Sequence, residues 1–268
     1  MEKNVDIKWY QTIDSTNTQA AREISQAPDG TVWIADFQTA GRGQRGNRWE
    51  SAKCENLTFS ILFKPIFLSP AQQFAISEVA AIGVCRYLCS KGLPAQIKWP
   101  NDIYIGNKKI CGMLIEHSIS GDKLSGSIIG IGLNLNQREF SSDAPNPTSL
   151  LLEAEALASS NVPEGTYDRR EELSSLLGYI FTAYGELEDG FAAELNQEYL
   201  DCLYRFNQWH QFIEIDANAP ADMPVEKMAA GRTITARITG IDPYGCVILE
   251  HQDGTVQSYP FKGIRYII

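Results

Sequence analysis

Apolar and polar positions change rhythm repeatedly along the chain, and the changes predict its elements. Val5 to Tyr10 alternates as a strand does, and Asp14-Ser15-Thr16-Asn17-Thr18 then supplies helix-start residues ahead of Ala20-Ala21-Arg22-Glu23-Ile24. Thr31 to Phe37, rich in β-branched and aromatic residues, predicts a second strand and Leu57 to Phe63 a third. Ser69-Pro70-Ala71-Gln72 combines an N-cap, a first-turn proline and a capping-box glutamine, so a helix is expected to open there. It carries Ile76, Val79, Ala80, Val84, Tyr87 and Leu88 on one side and ends at Gly92.

Shorter elements follow. Gln96 to Trp99 reads as extended, Asp102 to Ile105 and Lys108 to Ile110 as a hairpin around Gly106-Asn107, and Met113 to Ile119 and Ser127 to Asn136 as further strands. Gln137 to Gly165, rich in Ser, Pro and Asn, reads as irregular connection apart from the apolar run Leu150 to Leu152. Leu173, Leu176, Leu177, Ile180, Phe181, Tyr184 and Leu187 then recur at helical spacing, which makes this the clearest core-facing helix. Past Trp209 the rhythm turns to short strands: Phe212 to Ile215, Thr233 to Ile238, Gly245 to Glu250 and Thr255 to Pro260. Such an all-β tail is large enough for a small barrel. The expected organisation is a mixed α+β domain over residues 1–206 and a small β domain over 207–268, with the boundary near Asn207.

Composition narrows the class of partner. A net charge of -10, from 33 acidic and 23 basic side chains, repels nucleic acid, so a basic loop on this background points to a small anion. No apolar run approaches the roughly 18 residues that span a bilayer, and no apolar secretion signal opens the chain, so the expected location is the cytoplasm. The six cysteines (Cys54, Cys85, Cys89, Cys111, Cys202, Cys246) have no Cys-x-x-Cys pair and no metal-ligand spacing with His117, His210 or His251; reduced structural or surface thiols are expected.

Candidate chemistry sits in two islands. Gly41-Arg42-Gly43-Gln44-Arg45-Gly46-Asn47-Arg48-Trp49 sets three arginines among three glycines, a pattern suited to clamping phosphate, although an exposed arginine turn would look the same. Gly41, Gly43 and Gly46 also fit the dinucleotide fingerprint, but no apolar helix opens after them and no acidic residue ends a strand at the expected distance, so that reading fails. In Lys98-Trp99-Pro100-Asn101-Asp102 a lysine on a strand precedes a proline corner, which could aim one ammonium group at a fixed point or simply be a surface turn. On a strand, Gly130, Gly132, Asn134 and Asn136 would share a face with little bulk, leaving room for a flat ligand or for a neighbouring strand. Ser15-Thr16-Asn17 reads in isolation as a helix cap. No Ser/His/Asp or Cys/His nucleophile set is visible.

Together, Ser15 to Asn17, Gln38 with Gly41 to Trp49, Lys98 to Asp102, Lys109 to Gly112 and Gly130 to Asn134 resemble, in order, the motifs of the biotin protein ligases. The resemblance implies a class II synthetase-like catalytic domain, in which a mixed or antiparallel sheet carries helices, and a C-terminal SH3-like β-barrel. It implies ATP, Mg²⁺ and biotin as reactants, with biotinyl-5′-AMP formed first and the biotinyl group then passed to a lysine of a biotin carboxyl carrier domain of a biotin-dependent carboxylase. Lys98, Arg42 and Arg45 would carry the catalysis. Ser15, Thr16, Asn17, Gln38, Arg42, Gly112 and Lys98 would bind biotin; Gly41, Arg42, Gly43, Gln44, Arg45, Gly46, Trp49, Asn101, Lys109, Gly132 and Asn134 would bind ATP and the adenylate. No metal site made by protein alone, no membrane and no DNA partner are expected, the last because only 13 residues precede Asp14. The chain is expected to be a monomer or a homodimer. The lipoate ligase and octanoyltransferase group shares the fold and is the nearest alternative; a non-catalytic adenylate-binding regulator is the alternative from another class.

Gln44 and Asn47 stand where many members of that family carry arginine, so retention of the adenylate is expected to rest on Arg42, Arg45 and Lys98. Gln44→Ala is expected to alter the rate of adenylate release, measured by filter-trapping of labelled adenylate; an unchanged rate removes Gln44 from the clamp.

Overall fold

The computed structural model describes residues 5–44, 48–141, 146–157, 165–215, 231–261 and 263–268. Seven strands, β1 (Ile7–Tyr10), β2 (Val32–Ala35), β3 (Leu57–Phe63), β4 (Ala95–Lys98), β5 (Asp102–Ile105), β6 (Lys108–Ser120) and β7 (Lys123–Leu133), form one sheet in the order β1-β2-β3-β7-β6-β5-β4. Only β1 and β2 run parallel. Period-two alternation assigns the faces. Leu57, Phe59, Ile61 and Phe63 of β3 join Ile129, Ile131 and Leu133 of β7 in the large core, whereas Leu62 and Ile128 turn the other way with Trp33.

That large core is closed by α2 (Phe74–Ser90), α3 (Leu150–Ala156), α4 (Arg169–Glu188) and α5 (Ala192–Asp201), while α1 (Thr16–Glu23) lies over the opposite face with Ala20 and Ile24 against Trp33 and Leu62. Helix α2 is buried almost all round, so its polar groups are paired. Arg86 bridges Glu186 and Glu198, and the Tyr87 hydroxyl and Lys91 both meet Glu172.

A second, antiparallel sheet follows, with β8 (Trp209–Glu214), β9 (Arg232–Ile241), β10 (Val247–His251), β11 (Val256–Tyr259) and β12 (Ile264–Tyr266) in the order β11-β10-β9-β8-β12. The stretch between α5 and β8 stitches the two sheets together. Ile97 donates to Cys202 O (2.8 Å) and accepts from Tyr204 N (2.9 Å), and Asn207 N donates to Ile238 O (3.0 Å). The Trp99 indole adds a bond to Gly245 O at 2.9 Å and an edge contact to Phe261.

The elements depart from the sequence expectations where local signals compete. The capping box at Ser69 opens a 3₁₀ turn, Pro70–Gln72, and α2 itself begins at Phe74. Lys108 to Ser120 is one continuous strand, because pairing with β7 carries it through Gly112. Strand β7 stops at Leu133, so Asn134 and Asn136 lie beyond it. Their amides donate to Thr148 O and Tyr167 O, tying the following connection to the sheet. The apolar run at Leu150 is the short helix α3, capped by the Ser149 hydroxyl. Helix α5 carries little sequence signal, because Phe191 offers no capping side chain and only Leu195 and Tyr199 are buried.

Glu78 of α2 is 6% exposed and accepts a 2.7 Å bond from Asn196 of α5. Burial pushes its carboxyl up to about 7, the Asn196 bond opposing only part of the shift. Between the ordinary value of 4.5 and 7 the folded state therefore holds a proton that the unfolded chain has lost, and stability falls as pH rises through that window. Glu78→Gln is expected to abolish this decline, leaving the variant more stable than the parent at pH 8 by on the order of 3 kcal/mol; urea unfolding at pH 4.5 and 8 checks it.

Candidate functional site

The face of the large sheet away from α2 has a floor set by strand register. Lys98, Asp102, Gly112, Gly132 and Thr58 are consecutive cross-strand partners from β4 through β5, β6 and β7 to β3. Ser60, Gly130 and Leu114 form the neighbouring row. Partners directly opposite share a face, so two glycines meet at the centre with short hydroxyl side chains on one side and charged ones on the other. Above this floor lies a cavity of about 890 Å³, ample for a nucleotide-sized ligand.

The Trp49 indole lies over the glycines: a Cβ on Gly132 would stand 2.2 Å from its Cε2 and one on Gly112 2.9 Å from its Cζ3. Lys109 Nζ stands 5.6 Å from the centre of an indole ring of Trp49 and pairs with Asp102 at 2.7 Å. Residues Gly41 and Trp49 close the glycine-arginine loop through a 3.1 Å bond from Trp49 N to Gly41 O, and Arg42 pairs with Arg48 through the backbone. Gly43 and Gln44 line the cavity; Arg45 and Gly46 lie outside the described residues.

At one end of the floor the start of α1 is buried. Gln38 Oε1 accepts from Thr16 N (2.7 Å) and Thr16 Oγ1 (3.2 Å), and Ser60 Oγ stands 2.7 Å from Thr16 Oγ1 and 2.6 Å from Asn17 Oδ1. Ser15 is the N-cap residue, yet its hydroxyl makes no capping bond and stays available at the cavity wall. Asn17 Nδ2 donates to Glu116 Oε2 at 2.9 Å, the same oxygen that Arg42 Nη2 reaches at 2.5 Å. At the other end the Lys98 ammonium has no hydrogen bond or ion pair among the described residues, and burial lowers its pKa from the ordinary 10.5. Asn101 is tied to β6 through Met113 O, and Asn134 sits buried at the cavity edge.

The sequence profile described as the Biotin/lipoate A/B protein ligase family matches residues 9–134, the stretch that carries all five motifs. The Bifunctional ligase/repressor BirA of Bacillus spizizenii is 31% identical over 268 residues, covering 93% of this chain and 71% of its own length. The chain belongs to the biotin/lipoate A/B protein ligase family. A Biotin--[acetyl-CoA-carboxylase] ligase of Paracoccus denitrificans is 33% identical over 125 residues, 46% of this chain and 51% of that one. Among solved structures, the biotin protein ligase of Aquifex aeolicus in complex with biotin and ATP has the same fold, with a TM-score of 0.73 at 24% identity over 97% of both chains.

For a chain of this family the structure adds residues that sequence reading passed over. Thr58, Ser60 and Glu116 could have been found by counting in twos along β3 and β6, since they share a face with the glycine floor. Tyr104 and Tyr266, whose rings flank Lys98 at 4.9 and 5.1 Å, carry no sequence signal, and β12 itself was not foreseen.

Glu116 ties the loop to the floor through Arg42. A half-exposed pair of this kind contributes about 0.2–1 kcal/mol. Glu116→Gln is therefore expected to speed tryptic cleavage at the loop arginines of the ligand-free protein by about two- to five-fold while leaving thermal stability nearly unchanged. Gel-resolved limited proteolysis measures it, and an unchanged rate would deny the contact any hold on the loop.

Proposed function

We propose that the chain is an ATP-dependent biotin–protein ligase. The observation that carries the reading is the convergence on one cavity of a partly buried lysine with no carboxylate on its ammonium, a glycine-arginine loop and a buried hydrogen-bonding end. Biotin's carboxylate oxygen attacks the α-phosphorus of ATP, the bond to the β-phosphate oxygen breaks, and pyrophosphate leaves. The ε-amine of a carrier lysine then attacks the acyl carbon of biotinyl-5′-AMP. AMP departs with the bonding electrons and the amine loses a proton to solvent. Neither step needs a protein nucleophile; both need alignment and charge neutralisation.

In this reading Ser15, Thr16, Asn17 and Gln38 offer the donors and acceptors that a ureido ring requires, at the end of the cavity where Ser60 holds Thr16 and Asn17. Lys98 meets the carboxylate and the α-phosphate, where negative charge gathers in both transition states. Arg42 and Arg45 cover the phosphates, and the adenylate's base side falls to Trp49, Gly132 and Asn134. Mg²⁺ would enter as the counter-ion of the triphosphate, supplying charge neutralisation when bound; among the described residues no three His, Cys, Asp or Glu side chains cluster to hold it. The acceptor is a lysine on a biotin carboxyl carrier domain, and the second sheet, from about Asn207, forms a domain of its own that closes one side of the cavity. No helix among the described residues is long and apolar enough to cross a membrane, and use of ATP fits a cytoplasmic location.

Pyrophosphate exchange into ATP is expected with biotin and not with lipoate, and Lys98→Ala is expected to lower it by about 10²-fold or more. Exchange with lipoate alone would make the protein a lipoate enzyme; full exchange in the variant would remove Lys98 from the chemistry.

A further inference from the structure

Lys98 differs from the other cations of the cavity in its company. Arg42 stands on Glu116 and Lys109 on Asp102, but the Lys98 ammonium rests between two aromatic faces, with its nitrogen 4.9 Å from the ring centre of Tyr104 and 5.1 Å from that of Tyr266. Tyr104 belongs to β5 of the large sheet and Tyr266 to β12 of the second one. Tyr266 is held in place from several sides. Its ring meets Phe212 at 5.2 Å and Tyr204 at 6.1 Å, its strand pairs with β8, and Arg205 donates to the next residue's carbonyl, Ile267 O, at 2.7 Å. The charged groups acting on the ammonium are Asp102, which favours its charge, and Lys109 and Arg205, which oppose it. Asp102 is already engaged by Lys109.

We propose that Tyr266, supplied by the second sheet, is a positioning residue for Lys98: together with Tyr104 it forms a two-ring clamp that fixes the ammonium at the cavity wall without giving its N–H groups an acceptor. A ring face attracts a cation through its quadrupole and leaves the hydrogen-bonding capacity of the cation unspent. A carboxylate in the same place would have to be displaced before a ligand oxygen could bind. The first strong acceptor that Lys98 meets is then a carboxylate or phosphate oxygen of the bound reactants, in surroundings where such a bond is stronger than in water. The ring carries the effect and the hydroxyl does not, because both phenolic oxygens are buried without a partner among the described residues. The inference rests on the reading of Lys98 as the charge-neutralising lysine, and it explains why two sheets must meet at this point.

The test uses the full chain and biotin-dependent pyrophosphate exchange for the parent, Tyr266→Ala, Tyr266→Phe and Lys98→Ala. Tyr266→Ala is expected to lower kcat about ten-fold with the KM values for biotin and ATP changed less than three-fold, because the ammonium is still present but no longer held. Activity requires the ammonium form, so it falls as pH rises through the Lys98 pKa. Water entering the gap that the ring leaves beside the ammonium restores that pKa toward its ordinary value and outweighs the lost ring attraction, moving the alkaline limb of kcat to higher pH. Tyr266→Phe should recover most of the rate and the parental limb. A parental rate and limb in Tyr266→Ala would overturn the proposal, as would equal losses in the Ala and Phe variants, which would assign the effect to the hydroxyl. Should Tyr266→Ala fail to fold, Tyr104→Ala decides in the same way from the other side of the clamp: the rate loss with a raised limb supports it, a parental profile overturns it. Full activity in Lys98→Ala would instead defeat the underlying reading, separately from the clamp.

Discussion

Cross-strand register is the constraint on which the site depends. The row from Lys98 through Asp102, Gly112 and Gly132 to Thr58 exists only because β3 to β7 pair as they do. A one-residue slip in any pair would turn its side chains to the other face. The hydrophobic residues enforce that pairing. Leu57, Phe59, Ile61 and Phe63 alternate with Thr58 and Ser60, and Ile129, Ile131 and Leu133 with Gly130 and Gly132. Burial of the aliphatic set under α2 and α4 thereby decides where the small and polar set stands, and the cavity floor is the underside of the core.

Charge is distributed over that floor with economy. On a chain of net charge -10 each cation of the site needs a reason not to be neutralised by a neighbouring carboxylate. Arg42 and Lys109 are neutralised, by Glu116 and Asp102, and both pairs are partly exposed, so water and ligand phosphates can compete for them. Lys98 is the exception: no carboxylate meets its ammonium, its neighbours are rings, and burial lowers its pKa. The arrangement grades the cations from loosely held at the loop to uncompensated at the strand.

Much of this was legible in the residues. The strand and helix periods marked most of the large sheet's strands along the chain, though not their order in the sheet, and the Gly-Arg and Lys-Trp-Pro-Asn-Asp islands do line one cavity, with Arg45 and Gly46 outside the described residues. What escaped was long-range. Trp99 reads locally as part of a turn, but its indole is a bolt into Gly245 of the second sheet. Asn134 and Asn136 read as residues of a strand, whereas both lie beyond the strand end and bind distant backbone carbonyls, Asn134 while still lining the cavity. Tyr266 pairs with a lysine 168 positions away, counted from 98 to 266, and no local pattern encodes such a contact.

The stretch from Cys202 to Asn207 changes what the apparent boundary means. It adds to the outer edge of β4 through Ile97 and then to β9 through Ile238, so the segment that separates the two sheets in sequence is also their shared edge. Loosening the second sheet would uncover the outer edge of the strand that ends in Lys98 at Ile97 and expose backbone groups there to unwanted pairing. A graft cut at this seam would therefore carry away part of the scaffold of the other half.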